Sequence, residues 1–202
     1  GTAYSVTGGR ELIGGTGYGC KAGKTLIGGT AFTVPFSKGI PLNTITPGAI
    51  LYLNESGSPT PFYIAKHDYE SGLNGAGRTL VVRKDCCDNN KFGSSNSLSG
   101  STIDVFFNGS YKNRFSAAVK TAIGETTFYY IPGQGETNRS TLKRAIFPLS
   151  VRELGFYASG VQTDGSELPI ASTLRTTYLD GNAIAQWTRT PYKDYDSVYQ
   201  IT

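Results

Sequence analysis

The chain holds one histidine, His67, in Lys66-His67-Asp68-Tyr69-Glu70, so any hydrolytic mechanism built on imidazole has to start there. Nucleophilic catalysis of that kind needs a hydroxyl or thiol that the ring deprotonates and a carboxylate that orients the ring. Adjacency in sequence does not put Asp68 against the ring, and no Gly-x-Ser-x-Gly elbow occurs in the chain. His67 therefore reads as a strand-end residue that hydrogen-bonds locally. Carboxylates are available in pairs for glycosidic chemistry, as Asp85 with Asp88, Asp194 with Asp196, and Glu136 with Glu153. Only 15 residues are acidic, and most of them stand in Gly- and Asn-rich loops where solvation is the default.

Metal and phosphate chemistry find less support. Asp85-Cys86-Cys87-Asp88-Asn89-Asn90 comes nearest to a calcium loop and lacks its spacing, and no Cys-x-x-Cys or His-rich pattern suggests zinc. Gly72-Leu73-Asn74-Gly75-Ala76-Gly77-Arg78 lacks the Lys-Ser/Thr of a phosphate-binding loop and reads as turns. Three cysteines cannot all pair internally. Cys20 stands where neighbouring repeats place Val6 and Val34, and the adjacent Cys86 and Cys87 would point to opposite faces of a strand. Reduced structural thiols are expected, in keeping with assembly inside a reducing cytoplasm. No catalytic residue, metal or cofactor is expected.

The remaining constellation is aromatic: Trp187, Arg189, Tyr192, Tyr195 and Tyr199 near the C-terminal end. Aromatics and arginine on a loop-rich end can stack on sugar rings or anchor an interface. The competing reading makes Trp187 a core aromatic and pairs Arg189 internally. Residue type favours the core for Trp187, whereas Tyr192 and Tyr195 stand in a polar Lys-Asp loop that suits a surface equally well.

Two kinds of element must position these residues. The first is a tandem repeat. Gly1-Thr2-Ala3-Tyr4-Ser5-Val6 returns at one constant interval as Gly15-Thr16-Gly17-Tyr18-Gly19-Cys20 and Gly29-Thr30-Ala31-Phe32-Thr33-Val34, interleaved with Leu12-Ile13 and Leu26-Ile27. Apolar residues two apart between Gly-rich turns describe a short hairpin or two strand pieces that cannot bury an apolar face alone. Residues 1–36 are therefore expected to be an assembly segment, with Tyr4, Val6, Leu12, Ile13, Tyr18, Leu26, Ile27, Phe32 and Val34 making its contacts with other chains. The chain has no Met and begins on a repeat unit, which predicts a processed product or a fragment whose array continues upstream.

The second is a mixed domain over 48–202, after a connector at 37–47. Residues 49–53 and 61–66 predict a hairpin, and 78–84 a strand buried on both faces. Ser101-Thr102-Ile103-Asp104 is helix-start chemistry, with Asn108-Gly109 as the stop. Residues 111–123 carry the strongest helical spacing, through Phe115, Ala118, Val119 and Ala122, with Gly124 behind them. Residues 126–131 predict a strand, Ser150 to Glu153 has capping-box spacing, and 197–202 ends in a strand. The fold class is β-rich α+β.

Gly is frequent at 26 residues and aromatics reach 12%, a turn-rich composition unlike that of a disordered chain. The net charge of +4 is scattered, so no nucleic-acid surface is expected, and no apolar run approaches the ~18 residues of a membrane span, so no membrane insertion is expected.

The order of motifs adds a resemblance. Ser101-Thr102-Ile103-Asp104-Val105-Phe106-Phe107-Asn108, Ala145-Ile146-Phe147-Pro148-Leu149-Ser150 and Trp187-Thr188-Arg189-Thr190-Pro191 follow one another as Ser-Asp-Ile-Arg-x-Trp-Leu-Asn-like, Phe-Leu-Leu-Ser-like and Trp-Leu-Arg-Ser-Pro-like segments do in a family of uncharacterised domains. That family is common in gut bacteria, their prophages and phage virion proteins. The resemblance covers residues 48 to 199 and implies a fold like the C-type lectins and formylglycine-generating enzymes, without carrying the latter's active-site role onto Cys86 or Cys87. The Gly-Gly-Thr repeats look similar to N-terminal segments of phage structural proteins. Family members usually add a Gly-rich hairpin and a further strand after the Trp segment, whereas this chain ends at Thr202; either the chain is truncated or a neighbouring subunit supplies that strand, which would make oligomerisation obligatory.

The function these readings imply is structural: a virion protein of a tail, head fibre or capsid decoration. Its expected partners are other virion proteins, further copies in a trimer or other cyclic homo-oligomer, and a host-surface glycan. The alternative is a bacterial surface or secreted adhesion module, and the third reading a glycan-active enzyme.

Overall fold

The computed structural model describes residues 41–202 and, upstream of them, four strands. β1 (Leu12–Ile13) pairs antiparallel with β2 (Thr16–Gly17), and β3 (Gly23–Ile27) with β4 (Thr30–Val34). The two hairpins share one register: Ile13 faces Thr16 and, one repeat further on, Ile27 faces Thr30. Each Leu-Ile strand is thus followed by a Gly-Gly pair and answered by Thr, so the repeat in sequence is a repeat of hairpins. Tyr4, Val6, Tyr18 and Cys20 lie outside the described residues.

From Pro41 onward a short turn of 3-10 helix at Leu42–Thr44 leads to β5 (Ile50–Glu55), β6 (Ser58–His67) and β7 (Thr79–Arg83), an antiparallel sheet in that order, with one helical turn, α1 (Ser71–Asn74), between the last two. Ser56 and Gly57 both have positive φ, 53° and 82°, the geometry of the primed turn that matches strand twist. β5 alternates, with Leu51, Leu53 and Glu55 buried and Ile50 and Tyr52 exposed. All five residues of β7 are only half-buried, which corrects the expectation of a strand enclosed on both faces; β7 lies at the edge of its sheet.

Ser101 caps α2 (Thr102–Phe106) through its Oγ, which accepts the Asp104 N–H at 3.2 Å. Asn108-Gly109 does not stop this helix. The chain runs on through a π-turn at Phe107–Tyr111 and a 3-10 turn at Lys112–Arg114. The Asn108 side chain stabilises the continuation by donating to the Asp104 and Ile146 carbonyls while accepting from the Ala145 and Ile146 N–H groups. The helix expected over 111–123 is instead divided. Phe115 is extended and forms a bridge with Glu55, and Ser116 caps a new helix, α3 (Ala117–Ala122), by accepting from the Val119 N–H. A capping side chain inside an apolar helical pattern outweighed the pattern.

β8 (Thr126–Tyr130) pairs with β9 (Ser140–Arg144). After a long irregular stretch come α4 (Ala171–Leu174), the hairpin β10 (Thr177–Leu179) with β11 (Asn182–Ile184), and the hairpin β12 (Gln186–Pro191) with β13 (Val198–Ile201). Among the described residues the strands form one three-stranded and five two-stranded antiparallel sheets. The protein is a strand-rich α+β fold with few, short helices.

Three apolar clusters hold it together. One face of the β5-β6-β7 sheet packs Leu51, Leu53, Phe62 and Ile64 against Tyr111, Phe115 and Val119. Ala65 meets Leu149, Leu154, Leu168, Ile170 and Leu174 in a second. Tyr69, Phe92, Leu98, Ile103, Phe128 and Val198 form the third, beneath the C-terminal hairpin.

Candidate functional site

The C-terminal hairpin is anchored from below by a buried arginine. Arg189 and Glu153 are both fully buried, and the guanidinium donates to both carboxylate oxygens, at 2.6 and 2.9 Å. Its remaining donors reach the backbone carbonyls of Tyr129, Pro148 and Asp164, so all five are used. The Ser150-to-Glu153 spacing is the source of the carboxylate's position. Glu153 accepts the Ser150 N–H at 2.9 Å while its own N–H donates to Ser150 Oγ at 3.1 Å, a reciprocal capping box closing a hydrogen-bonded turn. The Tyr69 hydroxyl donates to the same carboxylate and Thr190 Oγ1 donates to Asp164.

Burial is the largest single influence on Arg189 and lowers its pKa, but the Glu153 charge and hydrogen bonds together with the charges of Tyr69 and Asp164 outweigh it, and the pKa lies above its ordinary value. Burial raises the pKa of Tyr69 well above the usual phenol range, with the Glu153 charge adding to it. Burial also raises Asp164, partly offset by Arg189 and Thr190. None of these groups reaches solvent, so the network fixes structure. Arg189 accordingly does not belong to a surface constellation: it pairs internally. Trp187 is half-buried, donates its indole N–H to the Asn90 carbonyl at 2.8 Å and packs against Phe92 in the third cluster. It too faces the core.

The three tyrosines do come together. Tyr192 stacks on Tyr199 with ring centroids 3.8 Å apart and planes at 29°, and Tyr195 stands edge-on to Tyr192 at 6.1 Å and 88°. Tyr195 is 71% exposed. The loop joining β12 to β13 carries Tyr192 and Tyr195, and Asn96 holds that loop: its Nδ2 donates to the Tyr192 and Tyr195 carbonyls while its Oδ1 accepts the Gln134 N–H. Asn96 is itself buried. Gly133, at φ +78°, is needed where it stands, because a Cβ there would sit 2.5 Å from Asn96 Oδ1.

Around Tyr195 lies a shallow depression of about 220 Å³ lined by Asn96, Gly135, Lys193, Asp194 and Asp196. Exposed aromatic faces beside carboxylates and an ammonium can stack on the apolar side of a sugar ring and hydrogen-bond its hydroxyls. Of the five residues singled out from sequence, Tyr192, Tyr195 and Tyr199 form one surface and Trp187 and Arg189 form its foundation. Asn96 was not legible as a functional residue. It stands in a Ser/Asn-rich loop far from the tyrosines in the chain, and only the fold brings it to Tyr192 and Tyr195.

The other chemistry-bearing residues are engaged elsewhere. His67 sits at the end of β6 with Nε2 donating to the Ile45 carbonyl at 2.8 Å and Nδ1 3.0 Å from Thr79 Oγ1. Asp88 pairs with Arg114 at 2.6 Å and Glu55 with Arg83 at 3.0 Å. Cys86 and Cys87 are free thiols, and burial pushes the Cys87 pKa up to about 11. Among the described residues no group of three or more His, Cys, Asp or Glu side chains is placed to hold a metal ion, and no helix is long and apolar enough to cross a membrane.

Residues 76–202 match the family described as Domain of unknown function (DUF6273). No curated protein and no solved structure matches the chain. The match starts just before β7, whereas β5 and β6 lie upstream of it and are hydrogen-bonded into the same sheet.

Proposed function

We propose, for a chain that belongs to the DUF6273 family, a structural role in a phage virion, with the C-terminal hairpin displayed to a host-surface glycan. The observation that carries the binding half of this reading is the Tyr192, Tyr195 and Tyr199 surface, which Asn96 preorganises and Asp194, Asp196 and Lys193 rim. Preorganised aromatics lose little entropy when a ring stacks on them. The tandem hairpins at the N-terminal end support the assembly half, since such units find stability by packing on neighbours. Within this reading the small sheets and short helices form a C-type-lectin-like domain, and copies associate in a closed trimer or other ring, which satisfies strand edges without open-ended growth.

The deciding experiment has two arms. Purified particles are searched by mass spectrometry for this chain at structural stoichiometry, and the purified chain is titrated with host-surface oligosaccharides. Presence in particles with saturable, tyrosine-dependent binding is the expected result. Binding without particle association would move the reading to a bacterial surface module, and absence of both would end it. Sedimentation of the intact chain at micromolar concentration tests the ring; a stable monomer would remove it.

A further inference from the structure

A groove of about 990 Å³ runs between the β5-β6-β7 sheet and the α2–α3 region. Residues 77–83 line it lengthwise, and a strand of the length of β7 spans about 16 Å, so the space suits an extended occupant better than a compact one. Its walls are apolar: Leu53 and Val81 from the sheet, and Phe107, Val119, Ala122 and Ile123 from the helical side. Val81, Phe107, Ala122 and Ile123 are only half-buried. Side chains along an open apolar groove lack the dispersion contacts of a closed core, and the volume lies within the range of small-molecule sites. Arg78 lines the same groove just ahead of β7, half-buried, and lies so close across Gly124 that a Cβ there would collide with its Nη1. Among the described residues no carboxylate, carbonyl or aromatic ring takes its guanidinium. Every other arginine among them pairs with a carboxylate, donates to a carbonyl or lies over a ring. Glu125, next to Gly124 in the chain, pairs with Lys143. The remaining charges of the groove, Arg83, Asp85 and Asp88, stand at the other end of β7.

We propose that this groove binds a single-chain amphiphile with an anionic head, in its simplest form a fatty carboxylate, whose head sits on Arg78 and whose chain lies along β7. Charge and shape together select that class. A guanidinium with unused N–H donors recognises a carboxylate through paired, charge-assisted hydrogen bonds. An apolar molecule without a charge would leave those donors idle, and a small anion without a chain would leave the walls in contact with water. Burying the chain removes apolar surface from water on both sides at once. The groove shares no lining residue with the depression around Tyr195, so this site stands apart from the glycan surface and does not depend on the virion reading.

The full chain is titrated by calorimetry with sodium octanoate, decanoate and dodecanoate, and with dodecanol, each below the concentration at which it aggregates. Saturable binding of dodecanoate is expected, weakening about fourfold for each methylene removed. Arg78→Gln is expected to weaken dodecanoate by about tenfold or more and to leave dodecanol unchanged. No described residue pairs with the guanidinium, so the substitution strands no partner and the variant should keep the wild-type melting temperature. Absence of saturable binding, an affinity indifferent to chain length, or equal effects on dodecanoate and dodecanol in Arg78→Gln would each overturn the proposal. Cross-relaxation between the ligand's methylene protons and the Val81 and Ala122 methyls is expected to locate the chain in the groove. Contacts from those methyls to Leu12 and Ile13 instead, or to a second copy in an isotope-mixed sample, would assign the groove to protein and overturn it as well.

Discussion

Arg189 and Glu153 form a doubly hydrogen-bonded ion pair in which neither residue touches solvent. Breaking such a pair leaves a charge buried without a partner, which costs about 3–5 kcal/mol, whereas removing both charges costs far less. Arg189→Met and Glu153→Leu are each expected to lower the unfolding free energy by that amount, and the double variant by much less than the sum. Urea unfolding of the three proteins checks it; additive losses would mean that the pair is not coupled.

Alkaline pH should destabilise the fold. The Cys87 pKa rises from 9.0 unfolded to about 11 folded because the thiol is buried. A folded pKa above the unfolded one means stability that is complete below about pH 9 and lost as pH rises toward 11. The loss is on the order of 2 kcal/mol. Tyr69 and Tyr111 are raised in the same direction, also by burial, and extend the decline. Unfolding curves between pH 8 and 11 are the measurement, and Cys87→Ala is expected to flatten the first part of the slope.

Asn108 joins α2 to the segment after β9. Its amide makes bonds to Asp104, Ala145 and Ile146, beside the Arg144 guanidinium that clasps Asp104 at 2.7 Å. Asn108→Ala leaves several part-buried backbone groups without partners and is expected to cost about 1–3 kcal/mol. The same variant should raise amide exchange across the π-turn at Phe107–Tyr111. An unchanged melting temperature would show that water replaces the side chain.

At the tyrosine surface, Tyr195→Ala is expected to weaken oligosaccharide binding by about 1 kcal/mol, roughly fivefold, without lowering the melting temperature. Tyr157 is 77% exposed, carries the Arg152 guanidinium over its ring and does not line the depression around Tyr195, so Tyr157→Ala serves as the control and should bind like wild type. Asn96→Ala is expected to lose both affinity and stability, since it holds the loop and is buried. Equal behaviour of the Tyr195 and Tyr157 variants would remove the surface from consideration.

Local chemistry carried much of this fold in the sequence. The Gly-Gly hairpins, the β5–β6 pair, the Ser101 cap and the Ser150-to-Glu153 box were legible because each rests on residues within a few positions of one another. The aromatic grouping at 192–199 was legible for the same reason. What the sequence left undecided was direction and distance. A helical pattern at 111–123 could not announce that Phe115 would leave the helix to bridge Glu55, far upstream in the chain. Residue type pointed Trp187 to the core, where it packs on Phe92, but it could not choose a side for Arg189, because a strand offers two sides and only a partner such as Glu153 chooses between them. β7 departs from its pattern on the same ground: its residue types are those of an inner strand, but it lies half-buried at the edge of its sheet, where burial depends on what lies beside it. Tertiary structure alone decided these points, since desolvating a charge or an apolar face depends on neighbours that the chain brings together only by folding.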